Sequence, residues 1–422
     1  MPSRPISLRL SRIFLALLAL IPALAGTRAI AVSPKAWKQD RLIITFWCPP
    51  PATDPNLAIV ARDGYTMTWT PEAGLDAARR HGLRAMLEDP LLSPASLDNP
   101  GTREKLKALV ERVRNHPALE AYYITDEPGA AAFPGLGRLA DFLRELDPAH
   151  FAYINLFPTY ANNEQLGTPG DTVTAYREHL TRFTAAVRPA LVSYDHYHFF
   201  RDRDGDQYFL NLAMIRDAAR EAGAPFLNII QACTIEKSWR LVNADELRFL
   251  VYTTLAYGGR GISYFLYWGP TAYGGLYQEG VRTPLADPVA GLNREINALS
   301  PPLMALRSLG AYHATPVPKG ADPIPSSSPV HMEGNPDCVI GLFAPESARA
   351  PALTAADARA LLIANRSYTK ETQARLQLKS GIRRIEEFNR TTGRWERLRN
   401  WRRGTVLPVT LAPGDGRLFR FR

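Results

Sequence analysis

From residue 41 to about 300 the chain repeats one pattern: a short apolar run, a polar or aromatic end, then apolar positions at helical spacing. The runs fall at 42–46, 65–68, 83–87, 121–124, 151–156, 191–194, 226–230 and 262–266. Between them, Leu106, Leu109, Val110 and Val113 share one helical face, as do Tyr176, Leu180, Phe183 and Val187. Asn243 with Glu246 three residues on reads as a capping box, and Gly258-Gly259 ends the stripe after it. Eight strand–helix units are the count of a (β/α)8 barrel, and uninterrupted apolar runs suit parallel strands covered on both faces. A doubly wound open sheet competes with this, but no Gly-rich phosphate loop follows the first run.

Beyond about residue 310 the period changes. Pro316, Pro318, Pro323, Pro325 and Pro329, with Ser326-Ser327-Ser328, mark a linker or irregular crossing. Strand signals then recur without helices at 339–343, 361–364, 374–378, 384–388, 406–411 and 417–421, as in a small antiparallel β-sandwich. The predicted organisation is a leader over 1–31, a barrel over 32–308 and the sandwich over 309–422. Residues 381–422 hold eleven arginines against four acids, which fits a solvated strand face or a surface for an anionic glycan or envelope.

At the start, Arg4, Arg9 and Arg12 precede an apolar run over 13–25, and Ala29-Ile30-Ala31 fits a small-x-small cleavage site. This predicts a secretory signal peptide and a secreted or periplasmic protein; a retained anchor is the alternative, but the run is short and Pro22 interrupts it. No later stretch is long and apolar enough to span a bilayer. Removing residues 1–31 takes away four arginines and lowers the formal charge from +9 to +5, too mild to argue for a nucleic-acid partner. Cys48, Cys233 and Cys338 form neither a disulfide framework nor a metal spacing; at most one pair could close, such as Cys48 with Cys233.

Candidate chemistry concentrates in Tyr122-Tyr123-Ile124-Thr125-Asp126-Glu127-Pro128. An apolar strand stops there at two adjacent carboxylates and a proline that cannot continue a ladder. In barrels the C-terminal strand ends carry the active site. Other runs end in residues suited to a sugar ring: Trp47, Trp69, Tyr267 and Trp268 can stack on pyranose faces, with Tyr160 and Trp239 nearby, and Asn155, His196, Tyr197 and Gln231 can line the site or bond hydroxyls. His196 and His198 beside Asp195 lack a third metal ligand, and the calcium-loop start at Asp202-Arg203-Asp204-Gly205-Asp206 has Ala213 where the closing Glu belongs. No metal and no organic cofactor is implied.

On these residues the chain resembles clan A glycoside hydrolases, most of all the family 42 β-galactosidase group and its secreted relatives. Asp126-Glu127-Pro128 is similar to the clan's Asn-Glu-Pro after strand four, whose Glu is the acid/base. The stretch from Pro225 to Leu255, then Tyr257-Gly258-Gly259-Arg260-Gly261-Ile262-Ser263-Tyr264-Phe265, resembles the family's strand seven through strand eight. The resemblance implies a secreted (β/α)8 glycosidase acting on an oligo- or polysaccharide, with a C-terminal β-sandwich. Two positions depart from it: Asp126 replaces the clan's Asn, and Gln231 ends strand seven where the clan carries its nucleophilic Glu.

Glycoside hydrolysis needs a protonated carboxyl for the leaving oxygen and a second carboxylate across the bond. Glu127 suits the first role. For the second there are Asp195, at the end of strand six; Glu236, in the loop after strand seven; and Asp126, with the objection that neighbouring strand residues point to opposite sides. Two other readings remain open: a non-catalytic glycan-binding barrel, and a metal-assisted carbohydrate esterase or deacetylase.

Overall fold

The computed structural model describes residues 36–422 apart from 236–237 and 349–351. The expected signal peptide and Glu236 therefore lie outside the described residues. No described helix is long and apolar enough to cross a membrane.

Eight short strands run parallel: β1 (Ile43–Phe46), β2 (Met67–Thr70), β3 (Arg84–Leu87), β4 (Leu119–Asp126), β5 (Phe151–Leu156), β6 (Val192–His196), β7 (Phe226–Gln231) and β8 (Gly261–Phe265). Their hydrogen-bonded order is β1-β8-β7-β6-β5-β4-β3-β2. The two ends of that order meet at Thr66, whose N–H donates to the Ile44 carbonyl at 2.9 Å while its hydroxyl accepts from the Ile44 N–H at 2.8 Å. A helix follows each strand, from Asp54–Arg62 after β1 to Ala286–Met304 after β8. This is the eight-fold barrel that the repeated pattern predicts. The helix Pro100–Val113 buries the expected Leu106, Leu109, Val110 and Val113. The helix Ala244–Ala256 starts at the Asn243 capping box, with Asn243 Oδ1 accepting from the Glu246 N–H at 3.0 Å and Glu246 Oε2 from the Asn243 N–H at 2.9 Å.

The C-terminal strands form two sheets, one of seven strands and one of three, antiparallel except where Asp322–Pro323 pairs parallel at one edge. Strands Cys338–Pro345 and Ala360–Asn365 pair at the centre of the larger sheet and read as continuous apolar runs because both their faces are covered. Ile340, Leu342, Leu361 and Ile363 face the smaller sheet, packing with Ala374, Leu376, Val409 and Leu411. Val339, Phe343, Leu362 and Ala364 face the other way and join the barrel's own core. Gly341 marks the contact: a Cβ there would come within 2.0 Å of the Ala256 carbonyl oxygen, so only glycine lets the helix Ala244–Ala256 lie this close. Leu306–His313 and Val330–Glu333 are also strands, in or beside the stretch that the prolines mark as irregular. The first has little alternation of its own and owes its form to pairing with Cys338–Pro345, through a bulge between Ser308 and Gly310.

Candidate active site

The candidate site is made where β4 departs from regular pairing. Tyr123 lies opposite Tyr153, yet Asp126 lies opposite Asn155, so three steps along β4 match two along β5. This bulge changes the parity of the strand. Tyr123 packs its ring near Trp69 and Tyr153, and Asp126 also turns inward, where Asn155 Nδ2 donates to its Oδ1 at 3.0 Å. Glu127 then takes φ +45°, a left-handed conformation uncommon outside glycine, while its N–H still bonds the Asn155 carbonyl at 2.9 Å. The expectation that Asp126 and Glu127 point to opposite sides is thereby corrected: the bulge and the positive φ bring both to one cleft.

Asp195, near the end of β6, forms the floor of that cleft and is only 3% exposed. Asn155 Nδ2 donates to Asp195 Oδ1 at 2.9 Å as well as to Asp126. The amide is held by Ser193, whose hydroxyl donates to Asn155 Oδ1 at 3.1 Å and lies 2.8 Å from the Tyr153 hydroxyl. One asparagine thus spaces two carboxyls from a rigid strand position.

Glu127 and Asp195 line the same cleft, and each shifts the other's titration. Two carboxyls coupled in this way do not both ionise readily. Burial, then the neighbouring Asp126 charge, pushes Glu127 up to about 7, while the bond from Asp195 acts the other way. Burial raises Asp195 well above the usual carboxylate range, and Glu127 adds to the effect. Asp126, exposed at the mouth, is raised by the cleft walls and lowered by its bond from Asn155. In the free cleft both carboxyls therefore hold their protons above the ordinary carboxylate range, Glu127 up to about 7.

The cleft has a volume of about 340 Å3, and Trp47, Tyr160, Tyr197, Trp239 and Phe265 supply its aromatic walls. Tyr197 packs on Trp239 at 4.3 Å between ring centroids and on Phe265 at 5.3 Å. Of the residues expected here, Trp47, Asp126, Glu127, Asn155, Tyr160, Asp195, Tyr197 and Trp239 are brought together. Trp69 is buried behind Trp47, with centroids 4.8 Å apart. Gln231 is corrected to an interior role: fully buried, it accepts from the Phe199 N–H and donates to the Phe199 and Arg240 carbonyls, satisfying a loop's backbone. His196 likewise turns outward from the barrel to Asn211 at 2.8 Å, and burial takes its pKa down to about 3, so it stays neutral. Tyr267 is core, stacked between Phe46 and Tyr277, and Trp268 lies over Tyr277, outside the cleft. Phe265 and Gln165 line the cleft in addition to the expected residues. Phe265 ends β8, so the strand-end rule could have found it; Gln165 comes from a loop helix and carries no sequence signal. Cys48 and Cys233 are free thiols. Among the described residues no three His, Cys, Asp or Glu side chains gather as metal ligands.

No protein-family model matches the chain, and no curated protein does. Solved structures with a similar course include a β-galactosidase from the psychrophilic Marinomonas ef1, at 12% identity and a TM-score of 0.44 over 61% of this chain. The chain spans 59% of the length of that enzyme. A putative α-L-fucosidase from Bacteroides thetaiotaomicron aligns at 12% identity and 0.42, over 63% of this chain and 97% of that one. Endo-glycoceramidase II from Rhodococcus sp. aligns at 15% identity and 0.37, over 92% and 99%. All three scores are below 0.5, too low to carry a functional argument.

Proposed function

We propose that the protein is a glycoside hydrolase, a secreted one, with Glu127 as general acid and Asp195 as its partner. The observation that carries this reading is the meeting of Glu127 and Asp195 in one aromatic-walled cleft, with Glu127 raised to about 7. A general acid works best with a pKa near the working pH. Glu127, at the more open side, hands its proton to the leaving oxygen; left as a carboxylate, it then takes a proton from the attacking water. Asp195 has its proton drawn toward Glu127 as that charge appears, and it orients the acid throughout.

The two carboxyls serve as one proton-holding unit, since two acids sharing a cleft do not both ionise readily. Asp126, held by Asn155 in the same cleft, supplies the negative charge that stabilises the cationic sugar in the transition state. Glu236 remains the further candidate for base or nucleophile. A binding-only barrel would have no use for a buried and a half-buried carboxyl sharing one cleft, an arrangement that costs stability. The test is hydrolysis of a panel of aryl glycosides by the native protein and by Glu127→Gln. A native rate that disappears in the variant supports the reading; no turnover of any glycoside by the native protein ends it.

A further inference from the structure

A second cleft, of about 670 Å3, opens at the other end of the barrel, among residues that precede β1, β6, β7 and β8 and the start of the strand Leu306–His313. Five cationic side chains line it: Lys38, Arg216, Arg220, Arg260 and Arg307. Three carboxylates answer them. Asp217 and Asp322 lie 3.0 and 3.8 Å from Arg216, Asp217 also lies 3.6 Å from Arg220, and Glu346 is 3.5 Å from Arg307. Two positive charges are left over.

One of them is Arg260, whose guanidinium is half-buried and meets no carboxylate among the described residues. Its Nη1 donates to the Leu303 carbonyl at 2.6 Å and contacts the Met304 sulfur at 3.3 Å, and its Nη2 donates to the Leu306 carbonyl. That leaves Nε–H and one Nη2–H unused. Burial works against its charge, and Glu346, which also pairs with Arg307, supports it only partly. In the same cleft the Ser308 hydroxyl is enclosed and makes no hydrogen bond to a described residue. A desolvated cation with no carboxylate within ion-pair distance is costly, and an oxyanion supplies both the charge and acceptor oxygens in guanidinium geometry. At the arginine-rich end of the chain the partly buried arginines are matched: Arg384 and Arg420 share Glu386, Arg417 holds Glu387, and Arg390 holds Glu295 and Asp415.

We infer that the cleft at the N-terminal end of the barrel binds an oxyanion, a sulfate or phosphate group, free or as an ester on a sugar. The residual charge of two matches a dianion. This binding is separate from the chemistry at the carboxylate cleft and is read without measuring turnover.

The test is calorimetric titration at low ionic strength with inorganic sulfate, inorganic phosphate, glucose 6-sulfate and glucose 6-phosphate. The expected result is saturable binding of at least one of them, weakened about tenfold or more when Lys38→Glu and Arg220→Glu are combined, the loss of charge-assisted contacts being worth at least that. Both positions are exposed, so the variant should fold, and its melting temperature verifies that. Arg260 is left in place because it ties down Leu303 and Leu306. The control is Arg397→Glu with Arg399→Glu on the sandwich, which should keep the native affinity. Tighter binding of an ester than of the bare ion identifies a sugar as the carrier; equal binding identifies the ion itself. No saturable heat with any of the four, or an equal loss in the control, overturns the inference.

Discussion

Two neighbouring strands end in nearly the same letters: Glu88-Asp89-Pro90 after β3 and Asp126-Glu127-Pro128 at the end of β4. Their structures differ. At the end of β3 the ladder with β2 stays regular, the Glu88 N–H bonding the Thr70 carbonyl at 3.0 Å. Asp89 turns back on its own chain, its Oδ1 accepting from the Leu91 N–H at 2.8 Å. Glu88 is half-buried, raised by burial alone, and bonds no described side chain. At β4 a bulge and a positive φ turn both acids inward, where Asn155 and Asp195 hold them. Two acids and a proline are thus a turn in one place and a candidate active site in the other. What separates them is the partner strand: β5 and β6 bring Asn155 and Asp195, whereas β3 has no such neighbours.

The largest effect expected from this contrast is on turnover. Glu127→Gln should lower kcat/KM on an aryl glycoside by about 10²–10⁴-fold, the usual worth of a general acid. Glu88→Gln should leave it within about twofold, as a side chain outside the reacting site does. Equal losses in a steady-state assay would erase the distinction. Next comes Asn155→Ala, which frees Asp126 and Asp195 together and should cost about 10–100-fold in kcat through lost positioning. A kcat that stays native would show that the asparagine is incidental.

A smaller effect concerns pH. With Glu127 at about 7, kcat/KM should fall as pH rises through that value, since the acid loses its proton. Asp126→Asn removes a charge that raises Glu127, so the alkaline limb should move to lower pH in a pH–rate profile. No movement would mean that Asp126 does not act on the acid.

The smallest effect is on stability. The folded protein holds the Glu127 proton up to about pH 7, whereas the unfolded chain releases it near the ordinary value of 4.5. Between those values the native state binds more protons, so stability falls as pH rises through the window. Gln at 127 carries no such loss. The melting temperature of Glu127→Gln relative to the native protein should therefore increase from pH 5 to pH 8, by about a few degrees. A constant difference across that range would contradict the raised pKa.

Much of the fold is legible in the chain, and the reason is covalent regularity. The apolar runs and helical stripes are local patterns, and Asn243 and Glu246 cap their helix as their spacing requires. The aromatic ends of β1 and β6, Trp47 and Tyr197, reach the cleft because the strand-end rule depends only on topology. Other positions depend on what lies across from them. Asp126 escapes the alternation rule because that rule holds only in a strand without a bulge, and the bulge at Ile124 leaves no mark in its letters. Gln231 and His196 have side chains fit for hydroxyl binding, but the loop at Phe199 and Asn211 take up their polar atoms first. Tyr267 ends its strand facing Phe46 and Tyr277, a packing choice that no local pattern records.

The most direct measurement is carbon-13 NMR titration of the side-chain carboxyls in the native protein, Glu127→Gln and Asp195→Asn. One glutamate carboxyl should titrate near 7 in the native protein, vanish in Glu127→Gln, and move in Asp195→Asn as its hydrogen-bond partner is lost. Glutamates that all titrate in the ordinary range, unmoved by the change at 195, would contradict a proton held between these two side chains.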